Sequence, residues 1–456
     1  MESNPVSLSK DAIQDKAISG NNIDADVDVD VVIIGAGPSG AIAASLLHQQ
    51  GKQVLVIEKQ HFPRFSIGES LLPYCMQFIE QAGMLDAVKQ AGFQFKNGAA
   101  FRHDGTYTTF NFTEKFTQGP GTTFQVQRGQ FDKLLADTAV SQGVEIRYGH
   151  SVNDIDLGDS LSSSPKLSVT DEQKKPYQIT AKYVLDASGF GRVLPRLLDL
   201  EKPSDLPARS AIFTHIKDNI TDPNFDREKI LISVHPTQKD IWYWLIPFSD
   251  GRCSVGVVAE PHLIEHYRSG VERGAKGEIQ DDNKDELEQQ LWQLINEEPG
   301  LKALLANATV LQPCATLKGY SANVSTLATS QFALLGNAGE FLDPVFSSGV
   351  TIAMQSAAMA VEALIKQLDG EEVDWQQDYA QPLMQGVNTF RTYVQAWYDG
   401  RFQDVIFYED PNPIIKQMIC SILAGYAWDT NNPFVKDSER RLNMIVDLCR
   451  DHTKAS

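Results

Sequence analysis

An apolar run passes without a break into a glycine pattern near the start of the chain, and that junction limits the possible folds more than any other stretch. Val31-Val32-Ile33-Ile34 is β-branched throughout, as suits a strand buried on both faces of a parallel sheet. Gly35-Ala36-Gly37-Pro38-Ser39-Gly40 follows, then the helical run Ala41-Ile42-Ala43-Ala44-Ser45-Leu46-Leu47, then Val54-Leu55-Val56-Ile57-Glu58 as a second buried strand. The spacing predicts a βαβ unit with an acid 18 residues beyond Gly40. The glycines serve separate physical ends. Gly35 permits the tight turn, Gly37 lets backbone approach a pyrophosphate, and Gly40 lets the helix pack closely on the sheet. The helix start at Ser39-Gly40 adds N–H donors and a positive dipole end. Glu58 is placed to accept hydrogen bonds from an adenosine ribose, and its charge disfavours a 2′-phosphate.

Bulk properties exclude several alternatives. A chain of 456 residues with 42% hydrophobic and 22% charged content is an ordinary globular protein, long enough for about three domains. Its net charge of −19 repels a phosphate backbone, and no basic stripe offsets it, so nucleic acid is not an expected partner. Cys75, Cys253, Cys314, Cys420 and Cys449 are odd in number and far apart, with no CxxC pair. That leaves no obvious zinc or disulfide framework and suits a reducing cytoplasm, so the expectations are a cytoplasmic protein and no metal. No stretch holds the ~18 apolar residues of a membrane span. Residues 1–27 are polar, contain acids and lack an apolar core, which predicts a disordered tail rather than a secretory signal.

Further along, a helical stretch runs from about Leu71 to Gln90, and Val184-Leu185-Asp186-Ala187-Ser188-Gly189 repeats the strand-then-glycine pattern. Residues 210–260 are β-rich, Glu286 to Ile295 is an amphipathic helix, and Phe332-Ala333-Leu334-Leu335-Gly336-Asn337 is another core strand. The last 80 or so residues are helical with turns at Pro411-Asn412-Pro413 and Asn431-Asn432-Pro433. Strands feeding the nucleotide site are scattered, so the domains are interleaved. The boundaries expected are a tail at 1–27, a discontinuous nucleotide-binding domain at 28–200 and 321–368, a β-rich domain at 201–320, and a helical region at 369–456.

Two later segments point to one chemistry. Trp242-Tyr243-Trp244-Leu245-Ile246-Pro247 and Phe341-Leu342-Asp343-Pro344-Val345-Phe346-Ser347-Ser348-Gly349 follow the glycine turn over roughly 300 residues. Together the patterns GxGxxG, WxWxIP and FxxPxxSxG resemble the flavin-dependent halogenases, within the FAD-dependent monooxygenase superfamily. The resemblance covers about residues 29 to 365 and implies an α/β fold. Its parts are a Rossmann-type FAD-binding domain, an inserted β-sheet substrate domain like that of para-hydroxybenzoate hydroxylase, and a helical C-terminal region. Asp186-Ala187-Ser188-Gly189 and Gly336-Asn337-Ala338-Gly339 resemble further flavin-contact motifs, the second with Asn337 where Asp is usual. Arg128 resembles an arginine that contacts the flavin's phosphate-ribityl region; read alone, it fits a surface ion pair equally well. Arg64, in Phe62-Pro63-Arg64-Phe65-Ser66-Ile67-Gly68-Glu69-Ser70, lies in a run that borders the flavin in halogenases and geranylgeranyl reductases.

The resemblance also assigns the chemistry. On a strand, Trp242, Trp244 and Ile246 share one face, and in the family that face walls the flavin off from the substrate pocket. The backbones of Ser348 and Gly349, at a helix start, hold chloride or bromide in the family. Tryptophan halogenases carry a glutamate just before this turn; Phe346 stands there, as in the phenol- and pyrrole-acting branch. Lys96, in Phe93-Gln94-Phe95-Lys96-Asn97-Gly98, resembles the family's lysine that presents hypohalous acid to the arene, and apolar neighbours would lower its pKa. His215 and His235 fall in β-rich segments where they could line the pocket, though each reads more naturally as a satisfied structural histidine; Tyr393, Trp397 and Tyr398 recur at helical spacing, which more often means core packing than a substrate cage.

The expected function is therefore halogenation by reduced FAD, O2 and halide of an electron-rich phenolic or pyrrolic ring, in a secondary-metabolite or pigment pathway. The ring is either free or tethered to an acyl carrier protein, as some family members require. A second nucleotide fingerprint is absent, which fits delivery of reduced FAD by a separate NAD(P)H flavin reductase. The alternative is a monooxygenase that hydroxylates an aromatic or a protein-bound tryptophan on the same scaffold. A polyprenyl or carrier-bound alkene reductase shares the Arg64–Ser70 run but has no use for the indole wall, and a flavoprotein with a structural or redox-sensing FAD, acting by binding a partner, would turn over no arene.

Overall fold

The computed structural model describes residues 27–160, 163–266 and 284–455. The expected tail lies outside them except for Val27, which opens the first strand. That strand, Val27–Ile34, pairs in parallel with Val54–Glu58 on one side and Pro176–Asp186 on the other, with Ile33 opposite both Val56 and Leu185. Glu145–Tyr148 extends the sheet beyond Val54–Glu58, and Phe332–Leu334 pairs with the far edge of Pro176–Asp186. An antiparallel hairpin, Ser151–Asp156 and Lys166–Thr170, completes seven strands.

The β-branched run is buried on both faces, as its composition demands. Val31, Ile33 and Val56 enter a core shared with the glycine-turn helix Pro38–Gln49, whereas Val32, Ile34 and Leu55 enter a second core with Ile155, Leu167 and Leu194. Pro38–Gln49 packs on helices Arg128–Gln142 and Ser348–Leu368. Against the expectation from the sequence, one described helix, Ser348–Leu368, is long and apolar enough to cross a membrane; most of it is buried inside the protein, as a core helix is. The stretch expected as one helix from Leu71 is two, Cys75–Gln81 and Leu85–Gln90, separated by a turn at Gly83 (φ 70°).

A second sheet has eight strands. Ser210–Lys217, Arg252–Ala259, Trp242–Pro247 and Lys229–Val234 form its antiparallel centre. Gly98–His103 then pairs in parallel with Lys229–Val234, and Thr106–Asn111 follows it at the edge. The sheet thus recruits residues upstream of the boundary drawn at 201. Parallel pairing needs a long crossover and leaves no local trace in the sequence. Cross-strand register builds a continuous row of side chains from Phe101 through Ile232, Trp244 and Gly256 to Phe213. The next row sets Ile246, Ser254 and His215 side by side.

The C-terminal helices Gln381–Tyr398, Arg401–Ile406, Pro413–Leu423 and Ser438–Ala455 pack into the same core rather than apart from it. Trp397 is fully buried, with its ring against both Phe101 of the second sheet and Phe346 of the turn before Ser348–Leu368.

Candidate functional site

A cavity of about 1200 Å³ runs from the glycine turn to the indole face of the second sheet. Gly35, Gly37, Ser39, Glu58, Arg64 and Arg128 line one end, and Trp242, Trp244 and Ile246 the other; Asn337 and Gly349 also form part of its wall. The fold therefore gathers eleven of the expected site residues around one space. Gly40, Ser348 and Lys96 lie just behind it.

At the glycine turn, Gly35 has φ 99°, and a Cβ there would sit 2.6 Å from the Ala187 carbonyl oxygen. Gly40 is packed harder still: its Cβ would lie 1.9 Å from the Gly35 oxygen. Gly37 differs: a Cβ would meet only Arg64 Nη2, at 3.5 Å, so its backbone opens on the cavity. The helix beginning at Pro38 has no side-chain cap, which leaves its first N–H groups to a ligand. Glu58 is buried, and its two oxygens accept from the backbone N–H groups of Ala36 (2.8 Å) and Gln60 (2.9 Å). A carboxylate has about four lone-pair sites, so it can still accept from a ribose. Arg128 forms a fork on buried Asp132 at 2.7 and 3.0 Å and donates to the Ile67 carbonyl at 2.5 Å. Arg64 lies 3.5 Å from the same Asp132 and 3.9 Å from Glu58. Arg128 is therefore no surface ion pair: it is buried, oriented, and on the cavity wall. An open glycine cradle, an uncapped helix start and two fixed guanidiniums fit the diphosphate of a dinucleotide such as FAD.

The second helix start is built differently. Asp343 Oδ1 accepts from Val345 N at 2.9 Å and so winds Pro344–Phe346 into a single turn. Ser347 then adopts a left-handed conformation (φ 56°), and Ser348–Leu368 begins with no side-chain cap. Gly349 borders the cavity, and Asn337 Oδ1 lies 4.0 Å from where its Cβ would be. Free amides at the positive end of a helix of 21 residues suit a small anion.

The indole face has its own support. Trp244 lies over Gly256, where a Cβ would come within 2.3 Å of the indole, and its Nε1 donates to Ser254 Oγ at 3.1 Å. Trp242 packs beside it, ring centres 5.9 Å apart, and donates from Nε1 to the Tyr398 hydroxyl at 3.0 Å. Tyr243 and Leu245 point into the opposite core, so the period-2 reading of this strand holds.

Lys96 is wholly buried on the three-residue strand Gln94–Lys96, beside Phe112. Nζ donates to Ser70 Oγ and to the Leu71 carbonyl, both at 2.7 Å. Burial brings its pKa down to about 7, so both the amine and the ammonium are populated at neutral pH. Lys96 is not itself on the cavity wall. Ser70 is, and it stands between the two.

Three residues of the site were not expected from the sequence: Glu69, Ser70 and Tyr398. Glu69 lines the cavity, and both its oxygens lie within 3.0 Å of His215 Nε2, so His215 is a buried partner of the cavity wall. His235, bonded to Glu297 at 2.9 Å, is the structural histidine expected. Tyr393 donates to the Phe434 carbonyl in the core, but Tyr398 reaches the site. Glu69 and Ser70 close the flavin-bordering run from Phe62; Tyr398 has no local signal at all.

The family described as FAD binding domain matches residues 28–382. A 1H-pyrrole-2-carbonyl-[peptidyl-carrier protein] chlorinase of Pseudomonas fluorescens is 27% identical over 458 residues, covering 94% of this chain and 96% of the relative. The corresponding brominase of Pseudoalteromonas luteoviolacea is 29% identical over 349 residues, covering 76% of this chain and 79% of the relative. Among solved structures, a flavoprotein/dehydrogenase from Cytophaga hutchinsonii superimposes with a TM-score of 0.85 at 41% identity, covering 93% of this chain and all of that one.

Proposed function

The chain belongs to the FAD-binding-domain family, on the side of its flavin-dependent halogenases, and from that premise we propose how its residues divide the work of halogenating an electron-rich aromatic ring. Bound FAD, once reduced, supplies the oxidising equivalent from O2. Gly35, Gly37, Ser39 and Gly40 hold its diphosphate, Glu58 its ribose, and Arg64, Arg128 and Asn337 orient the rest. The backbone amides of Ser348 and Gly349 hold the halide against the cavity. Trp242, Trp244 and Ile246 exclude water and keep the arene from the oxidant. Lys96 would hold hypohalous acid by a hydrogen bond, or take its halogen as a haloamine with the X–O bond broken and water released, and present it to the ring; an amine near pKa 7 is a competent nucleophile and a competent acid at neutral pH.

The observation that carries this reading is Lys96 itself. A lysine with no exposed surface and no carboxylate partner among its hydrogen bonds is costly to keep, and packing alone would be better served by an apolar side chain. The substrate is a phenolic or pyrrolic ring carried on an acyl carrier protein. The carrier-protein relatives support the tether, and Phe346, clamped by Trp397 and Phe402 where a free-tryptophan enzyme would need an acid, argues against free tryptophan. A separate flavin reductase, a cytoplasmic setting and a secondary-metabolite or pigment pathway complete the proposal.

The test needs no substrate. The anaerobically reduced FAD complex is mixed with O2 in a stopped-flow spectrometer while chloride and bromide are varied. Saturable acceleration of flavin reoxidation by either halide is the expected result. Complete indifference to both would sink halogenation and favour hydroxylation.

A further inference from the structure

Asp343 sits in the middle of a hydrogen-bond chain that none of the roles above requires. Its side chain is buried. Oδ1 accepts from Val345 N, shaping the turn that precedes Ser348 and Gly349. Oδ2 accepts from two phenols, Tyr398 at 2.8 Å and Tyr320 at 3.1 Å. Tyr398 in turn accepts from Trp242 Nε1 at 3.0 Å. One carboxylate thus touches the anion turn through one oxygen and the indole face through the other, with Tyr398 as the only intermediate. The connection joins segments 101 and 55 residues apart in sequence (343 − 242 and 398 − 343).

Tyr398 is held in place for this contact. It ends the helix Gln381–Tyr398, and the Arg209 guanidinium lies 4.0 Å over its ring. Arg209 is itself anchored to Asp240 at 3.2 Å and Glu260 at 2.8 Å. Tyr320 is tied to the same turn run from the other side, edge-on to Phe341 with ring centres 5.6 Å apart. A turn and a wall built on separate elements could drift independently. Here they share one acceptor, and a bond lost at Tyr398 would leave both a buried carboxylate oxygen and a buried indole N–H short of a partner.

We propose that Asp343 and Tyr398 are positioning residues that hold the anion turn and the indole face in one register, so that a change at Trp242 is felt at residues 345–350. The C-terminal helical region then belongs to the working site through the Tyr398 hydroxyl as well as through the packing of Trp397 and Phe402 on Phe346. The coupling itself requires no halide; its consequence for catalysis rests on the halogenase reading.

Amide hydrogen exchange on the full FAD-loaded protein tests it. Tyr398→Phe removes the hydroxyl and keeps the ring under Arg209. It should speed exchange of the hydrogen-bonded Val345 and Ser347 amides about tenfold or more. Trp242→Phe, whose hydrogen-bonded link to the turn among the described residues runs through Tyr398, should do the same, and the double variant should add little to either, as members of one chain do. Tyr320→Phe should loosen the turn without altering Trp242 fluorescence, because it has no bond to the indole. Unchanged exchange at Val345 and Ser347 in Tyr398→Phe, or in Trp242→Phe, would overturn the proposal. Strictly additive effects in the double variant would do so too. Halide titration of the wild type, followed by flavin fluorescence, addresses the other reading separately: a wild type blind to halide would retire the halide and leave the exchange result standing.

Discussion

The Lys96 ammonium donates to the Ser70 hydroxyl at 2.7 Å, and of the two residues it is Ser70 that lines the cavity. That hydroxyl therefore touches both the cavity and the amine. Ser70→Ala removes it and leaves Lys96 with the Leu71 carbonyl alone. A hydrogen bond to a charged group is worth about 1.5–3 kcal/mol, so halogenation should fall roughly 10- to 100-fold. FAD affinity should stay near wild type, since Ser70 makes no bond to the glycine turn. Single-turnover rates with a phenolic or pyrrolic acceptor, beside flavin titrations, measure both. Lys96→Met should abolish product while leaving flavin binding intact.

The same lysine makes stability depend on pH. Burial lowers its pKa from 10.5 to about 7, so between those values the unfolded chain binds more protons than the folded one. Stability from this group therefore rises with pH from about 7 towards 10.5, and its full cost is present below 7. Lys96→Met removes that cost. Urea denaturation should find the variant more stable than wild type at pH 7, with the gap narrowing by at most about 1.4 kcal/mol per pH unit up to pH 9. A gap that is constant across this range would mean the amine is not buried in solution.

Gly256 gives the indole face its shape, because Trp244 occupies the space a Cβ would need. Gly256→Ala should push the indole off its place at a stability cost of about 1–3 kcal/mol, typical of overpacking. With the wall displaced, more of the O2 consumed should appear as hydrogen peroxide and less as halogenated product. Peroxide assay against oxygen uptake would show this, and full coupling in the variant would deny the wall its role.

Gly35 combines a left-handed backbone with a neighbouring carbonyl at 2.6 Å from the missing Cβ. Gly35→Ala should cost on the order of 1–3 kcal/mol in the turn and weaken FAD binding at least tenfold. Equilibrium flavin titration reads the loss, and the far-UV dichroism should stay native. Wild-type affinity would remove the turn from the flavin site.

Much of this site is legible in the residues alone. The glycine turn and Glu58 can be read because a βαβ unit writes its backbone demands within about 30 residues. The indole face can be read because a strand alternates with period 2, and Trp242, Trp244 and Ile246 do turn to the same side. The burial of Lys96 cannot be read locally: its neighbour Phe95 is exposed on the opposite side of the strand, and the ring beside the amine is Phe112. What cannot be read is which elements those faces meet. The strands Gly98–His103 and Thr106–Asn111 join the second sheet through a parallel pairing with Lys229–Val234 that no local pattern announces. Lys96 finds its acceptor 26 residues upstream, on Ser70, and so ends one side chain short of the cavity.

Tyr398 marks the divide most clearly. Its spacing from Tyr393 and Trp397 reads as a packed helix, and for those two that is the whole account. Periodicity states which side of a helix or strand is apolar, because that depends only on geometry repeated along the chain. It does not state that one hydroxyl at the helix end will meet Asp343 and Trp242. That contact depends on how three distant elements pack, and a hydrogen bond of about 3 Å exists or fails on shifts far smaller than a sequence pattern can express.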